Sequence, residues 1–320
     1  MDAKQKELRQ VSRKYRRLKR REKQVQHGSR SALRIALVLL CALAVLAVRI
    51  AAIPKREAGL PDALRVCFLD VGQGDAALIR TPEHAVLIDA GDYEQSYSVV
   101  QMLKALGVSR LDAAICSHPH ADHIGGMSAV LEQIGADVLY LPDMPEQLVP
   151  TDYPFTVLLD TAEKTGTALR SPACHDTVVL GSTVLEFLCT DNSGFDDLNN
   201  CSLGCRVTCG DVSFFLAGDL EKDAEAAFLD AGLIEPVSVL KVSHHGSNSS
   251  SSEPFLQAAK PEYAVISVGA MNDYGHPAEK LLDRLAAHGC TVYRTDLDGT
   301  VVFATDGRAI RPVPHWDFGF

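Results

Sequence analysis

Hydrophobic and polar positions fall into short apolar runs separated by turn-forming residues, and the runs come in two sets. The first set predicts strands at 64–70, 76–80, 85–89, 111–116 and 137–141. Between them lie a helix at 95–106, stopped by Gly107, and an apolar-periodic stretch through Val130, Leu131 and Ile134. Residues 143–176 read as irregular, with one helix at about 155–168. The second set predicts strands at 177–180, 183–189, 203–209, 212–217, 236–242, 263–268, 290–294 and 300–304. Helices fall at 221–229, 254–259 and 278–288. Strands flanked by helices in two successive halves suit two sheets face to face with helices outside.

A different pattern precedes these runs. Residues 35–53 (IALVLLCALAVLAVRIAAI) carry one charge, Arg49, and at about 1.5 Å per residue would cross roughly 28 Å of hydrocarbon. Residues 1–34 hold thirteen Lys or Arg against three Asp or Glu, whereas the whole chain is at −10. The remainder is therefore strongly acidic. The positive-inside rule then predicts a basic cytoplasmic arm (1–34), a single transmembrane signal-anchor helix (35–53), a linker (54–63) and an extracytoplasmic domain (64–308) with a tail at 309–320. A cleaved signal peptide is the competing reading. The long basic region and the poor cleavage site around Arg49–Ala52 favour a retained anchor. The arm reads as a topology determinant touching anionic lipid rather than as a nucleic-acid patch. Of nine cysteines, Cys67, Cys116 and Cys189 sit in apolar runs and read as buried small hydrophobes.

The chemistry is concentrated in Ser117-His-Pro-His-Ala-Asp-His-Ile-Gly-Gly126. Alternate positions put His118 and His120 on one side of an extended segment, where two imidazoles hold one cation. Asp122 and His123 turn the other way and can hold a second. A buried strand precedes the motif and a helix follows it, the usual place for a site in an α/β protein.

These residues resemble the metallo-β-lactamase-fold hydrolases, and specifically the soluble domain of ComEC-type DNA-uptake (competence) proteins. Further strings match in register: Phe68-Leu-Asp-Val-Gly-Gln-Gly-Asp75, Leu87-Ile-Asp-Ala-Gly91, Asn199-Asn-Cys-Ser-Leu203 and Phe215-Leu-Ala-Gly-Asp-Leu220. Leu240 to Ser247, Tyr274-Gly-His-Pro277 and Tyr293 to Thr300 complete the pattern, so the resemblance spans roughly residues 64 to 305. It implies an αββα sandwich and two divalent metal ions, Zn or Mn.

By the same resemblance, His118 and His120 hold the first metal, Asp122, His123 and His245 the second, and Asp219 bridges them. His244 is the rival to His245. Asp89 is expected behind a metal-binding imidazole, and Asp75 in a similar orienting role or on the substrate. Where many superfamily members place a third histidine this chain has Asn199, Asn200 and Ser202, which puts occupancy and identity of the first metal in question. The implied reaction is phosphodiester hydrolysis by a metal-bridging hydroxide, with Asp122, His276 and His244 catalytic and the last two as candidate proton donors to the leaving group. DNA is the expected substrate class. The acidic domain argues against a general DNA binder unless Lys241, Arg206 and Arg294 supply a basic face. The alternatives are a cell-surface hydrolase of a smaller phosphoester, of choline-phosphate or teichoic-acid type, and a non-catalytic surface module. No protein partner is deducible, and β-lactam hydrolysis is disfavoured by the asparagines.

Overall fold

The computed structural model describes residues 63–313, and within them the two sets of runs become two sheets. The first half supplies β1 (Leu64–Phe68), β2 (Ala77–Arg80), β3 (Ala85–Ile88), β4 (Ala113–Ile115), β5 (Val138–Tyr140) and β6 (Ala168–Arg170). The second supplies β7 (Thr177–Leu180), β8 (Thr183–Leu188), β9 (Gly204–Cys209), β10 (Val212–Leu216), β11 (Val239–Lys241), β12 (Tyr263–Ile266) and β13 (Thr291–Arg294). The chain then returns to the first sheet with β14 (Val301–Thr305) and β15 (Ile310–Val313). Sheet order is β15-β14-β1-β2-β3-β4-β5-β6 in one layer and β13-β12-β11-β10-β9-β8-β7 in the other.

Each sheet changes character midway. Antiparallel pairing through β1, β2 and β3 gives way to parallel pairing through β4, β5 and β6. In the second sheet the antiparallel β7 to β10 are followed by parallel β11, β12 and β13. Between the sheets, Phe68, Ile79, Val86 and Ile88 of one meet Phe187, Val207, Phe214 and Val265 of the other in one buried cluster. Strand alternation sends Phe215, Leu240, Ala264 and Ile266 to the opposite face of the second sheet. There they pack on Phe228, Phe255 and Leu281, contributed by helices Lys222–Asp230, Glu253–Ala259 and Glu279–Ala287. The central parallel strands β4 and β11 are buried along their whole length, so they read as continuous apolar runs rather than alternating ones.

Two strands depart from expectation. The segment read as irregular contains β6, whose ends Ala168 and Arg170 are exposed. A three-residue edge strand leaves no period to detect. The tail placed at 309–320 begins instead with β15, in register with β14 through Thr305↔Ile310 and Phe303↔Pro312. Pro312 suits an edge, where a missing N–H donor faces no partner strand. Cys189 is half-buried and packs against the inter-sheet core, and its amide donates to Cys174 Sγ at 3.5 Å. The basic arm, the membrane span at 35–53 and most of the linker lie outside the described residues. Among the described residues no helix is long and apolar enough to cross a membrane.

Candidate metal centre

The site lies where β3, β4, β10 and β11 end, so each strand delivers a ligand-bearing loop to the same edge. Asp89 follows β3 in a left-handed conformation (φ 59°) and is fully buried. Its carboxylate accepts from the Ser117 amide and hydroxyl, both at 2.7 Å, and from His123 Nδ1 at 2.9 Å. His123 is thereby fixed with Nε2 facing the centre, the orienting role expected of Asp89. The motif itself folds as an extended Ser117–His120 followed by a four-residue helix, Ala121–Ile124. Gly125 and Gly126 close it against the backbone at Tyr93 and Ala90, where any Cβ would collide.

His118 and His120 do share a side: His118 Nε2 and His120 Nδ1 are 3.0 Å apart. Two nitrogens bound at about 2.0–2.1 Å to one tetrahedral cation would stand about 3.3 Å apart, close to that value. Across from them, His245 Nε2 lies 3.1 Å from Asp122 Oδ2 and 3.5 Å from Asp219 Oδ2. His123 Nε2 is 3.3 Å from the same Asp219 oxygen and 3.9 Å from Asp122. Asp219 also reaches the first pair, 3.9 Å from His118 Nε2. Asp122, His123 and His245 form one compact donor group, and His118, His123 and Asp219 another. His120 belongs to neither group, and its Nδ1 faces His118 Nε2.

His245 rather than His244 is the inward ring. Both sit at left-handed φ (51° and 50°), a strained pair of the kind that survives where function fixes geometry. His245 Nδ1 faces the Ser267 carbonyl at 3.0 Å and Asp75 Oδ1 at 3.3 Å. Asp75 in turn pairs with Lys241 at 2.6 Å, both buried. Asp75 thus stands behind His245, and it also falls within donor reach of Asp219 and His245.

The charges are arranged for cations. Burial works to lower the His123 imidazole, but Asp219, Asp89 and Asp122 outweigh it and hold it well above its ordinary value. His245, buried likewise, is pushed up to about 10 by Asp219, Asp122 and Asp75. Burial would raise Asp219 and Asp122; the surrounding imidazoles, His123 first, keep both below the usual carboxylate range. His118 is lowered by burial and by His123, leaving it a neutral donor. His123 Nε2 and Asp219 Oδ1 are buried with no hydrogen-bond partner. Each such orphan costs roughly 1–3 kcal/mol, and divalent cations would satisfy them. The donor set of imidazole nitrogens and carboxylates fits Zn²⁺ or Mn²⁺.

The two asparagines differ in what their side-chain oxygens meet. Asn200 Oδ1 accepts from the Glu221 and Ala224 amides, both at 3.2 Å, capping the helix Lys222–Asp230, while its Nδ2 donates to Asp197 at 2.6 Å. Ser202 Oγ accepts from the Asp219 amide at 3.0 Å, which sets the strand end rather than a metal. Asn199 Nδ2 donates to Glu221 Oε1 at 3.2 Å, and its own Oδ1 is buried and unpartnered. Glu221 also lies 3.0 Å from His244 Nδ1, without hydrogen-bond alignment. Sequence reasoning missed Glu221, although its position two residues after Asp219 was the available signal. His276 sits 5.6 Å from His244, ring centroid to centroid, and burial, then His244 and His245, lowers its pKa.

The surroundings of the centre are packed. In the serine-rich stretch 247–252, Ser250 and Ser251 are fully buried. Glu225 accepts from the Ser251 and Ser252 amides, and Arg284 donates to the Ser250 and Ser251 carbonyls at 2.9 and 3.2 Å. The basic face expected from Lys241, Arg206 and Arg294 is absent. Lys241 is buried on Asp75, Arg206 is spent on Glu235 and the Leu233 carbonyl, and Arg294 on Asp296.

Facing sheets that deliver histidines and aspartates to one edge, around unsatisfied buried donors and acceptors, define a class of metal-dependent hydrolases. Residues 69–270 match the Metallo-beta-lactamase superfamily, and the chain belongs to it. Its relatives are competence proteins. It is 32% identical over 264 residues to ComE operon protein 3 of Bacillus subtilis, covering 76% of this chain and 33% of that one. Competence protein ComA of Neisseria gonorrhoeae is 34% identical over 256 residues, 79% of this chain and 33% of its own. Recombination protein 2 of Haemophilus influenzae is 28% identical over 242 residues, 74% of this chain and 28% of its own. The chain thus spans about a third of the length of these relatives. Among solved structures it is similar to CmlA, a diiron β-hydroxylase from Streptomyces venezuelae, with TM-score 0.52 and 13% identity over 80% of this chain and 55% of that one. YhfI from Bacillus subtilis follows at TM-score 0.50 and 15% identity, over 75% of this chain and 99% of its own. Both show the fold alone.

Proposed function

We propose that the chain is a two-metal phosphodiesterase acting on nucleic acid, anchored by residues 35–53 with the basic arm in the cytoplasm and the domain outside. The observation that carries the reading is the convergence of Asp122, His123, His245 and Asp219 around buried unpartnered atoms, in a chain whose relatives are competence proteins. Divalent cations held there would supply Lewis acidity toward a phosphoryl group and lower the pKa of water near it. The protein's own part is positioning. Asp89 and Asp75 fix the rings of His123 and His245, and Ser202 fixes the backbone of Asp219. His244, beside Glu221, and His276, whose ring centroid is 5.6 Å from that of His244, are the candidate proton donors to a leaving alkoxide.

The test uses the purified full chain loaded with Mn²⁺ or Zn²⁺, with Asp122→Ala as control. Release of nucleotides from single-stranded DNA, lost on chelation and in the variant, is the expected result. Cleavage of bis-p-nitrophenyl phosphate without DNA degradation would move the assignment to a smaller cell-surface phosphoester. That second reading is favoured by charge: residues 63–313 carry 15 Lys or Arg against 35 Asp or Glu. No bound metal and no turnover would sink both and leave a non-catalytic module.

A further inference from the structure

The loop between β12 and the helix Glu279–Ala287 stands outside the metal cluster yet joins it through a ladder of rings. His245 and His244 have ring centroids 6.1 Å apart, His244 and His276 5.6 Å, and Tyr274 stacks on His276 at 5.9 Å with 18° between the planes. The inner end of this ladder is in the metal centre. Its outer end is open: Tyr274 is 72% exposed and Met271 is 99% exposed.

A slack loop would fold such side chains away, but this one is wound around a single residue. Asn272 Oδ1 accepts from the Tyr274 and His276 amides at 3.1 and 3.0 Å. Asn272 Nδ2 donates to the Gly269 and His276 carbonyls at 3.0 and 2.7 Å. The Gly269 amide donates to Gln73 Oε1 at 3.1 Å, which ties the loop to the turn before β2. Met271 holds a left-handed φ of 55°. Neither that strain nor the exposed apolar surface adds to fold stability. A rigid tyrosine held in water with one face free is what a stacking platform requires, because every base presents a π-face.

Charge weighs against the usual means of holding a polynucleotide. The acidic balance of residues 63–313, with Lys241, Arg206 and Arg294 turned onto Asp75, Glu235 and Asp296, weakens binding through phosphate neutralisation. The geometry points to Tyr274 as the platform for the base beside the scissile phosphodiester, so that single-stranded nucleic acid is selected by its bases and not by its phosphates. Along the ladder, two imidazole rings, those of His276 and His244, stand between Tyr274 and His245. The inference rests on the phosphodiester reading above.

The experiment compares a single-stranded oligothymidylate with an abasic oligodeoxyribonucleotide of equal length, using the Mn²⁺-loaded full chain and its Tyr274→Ala and Tyr274→Phe variants. Loss of one stacked base predicts that the preference for the base-bearing strand, as a ratio of kcat/KM values, falls about tenfold in Tyr274→Ala, through KM rather than kcat. Tyr274→Phe should retain it, since stacking needs the ring and not the hydroxyl. Fluorescence anisotropy of the same two labelled strands reads the platform without turnover and should show the same base-dependent loss. Equal behaviour of both strands in the wild-type chain, or an unchanged preference in Tyr274→Ala, overturns the inference. If anisotropy shows base-dependent binding while neither strand is cleaved, the phosphodiesterase reading fails and the platform stands.

Discussion

Lys241 Nζ lies 2.6 Å from Asp75 Oδ2, and both side chains are buried beside the metal centre. The ammonium is not presented to a substrate; it holds a carboxylate that in turn faces His245 Nδ1. Breaking a buried pair from one side leaves an uncompensated charge, which typically costs about 3–5 kcal/mol. Lys241→Met should therefore lower unfolding free energy by about that amount, and Asp75→Asn with Lys241→Met should recover much of it. Urea denaturation of the metal-free proteins measures both. A single variant within about 1 kcal/mol of wild type would show that the pair is not uncompensated when split.

Asp89 makes a separate and local prediction. It accepts three hydrogen bonds, from the Ser117 amide, the Ser117 hydroxyl and His123 Nδ1. Asp89→Asn keeps the shape but offers one fewer acceptor oxygen, and its amide nitrogen turns a donor toward groups that themselves donate. With the His123 ring no longer fixed, metal affinity should fall about 10–100-fold. Competition against a chromogenic chelator gives the number; an unchanged affinity would mean that His123 is oriented by something else.

The metal-binding run was legible because its four donors are contiguous and lie between a buried strand and a helix. Asp219 and His245 were legible for a related reason: each ends an apolar run long enough to read as a strand. What stayed hidden depends on distant partners. Lys241 looked like a surface cation because Asp75 is 166 positions earlier in the chain, and nothing local announces that pairing. The burial of the serine run at 247–252 is equally hidden, because the groups that satisfy it, Glu225 and Arg284, come from two different helices. Asn200 stood where a ligand was sought, yet its carbonyl is consumed by two amides at a helix start, a local geometry that the sequence pattern does not distinguish from ligation. The strands β6 and β15 were missed for want of length, since three or four residues at a sheet edge show no period.

The two sides of the centre are unequal, and this sets a stoichiometry. Asp122, His123, His245 and Asp219 converge closely, whereas His118, paired with His120, has Asp219 at 3.9 Å. Titrating metal-free chain with Zn²⁺ should give a tight and a weaker class of site. His120→Ala should remove the weaker class alone, and His245→Ala should damage the tight one. Two sites of equal affinity, or loss of the tight class in His120→Ala, would reverse the assignment.

Metal uptake should also release protons, and the sign follows from the imidazoles. In the metal-free protein His245 is pushed up to about 10 from an ordinary 6.5, and His123 is raised as well. Both are then cationic at pH 7, held by Asp219, Asp122, Asp89 and Asp75. A raised folded-state value contributes stability that is fully present below the unfolded value near 6.5 and is lost as pH climbs through about 10. Metal-free stability should fall across that window. A divalent cation needs the neutral rings, so loading at pH 7 should expel about two protons, and affinity should rise with pH until the rings are neutral. Base uptake in a pH-stat during metal addition, together with unfolding midpoints of metal-free and loaded chain between pH 6.5 and 10, measures both effects. Uptake without proton release would show that the rings are already neutral and that the carboxylates do not hold them charged.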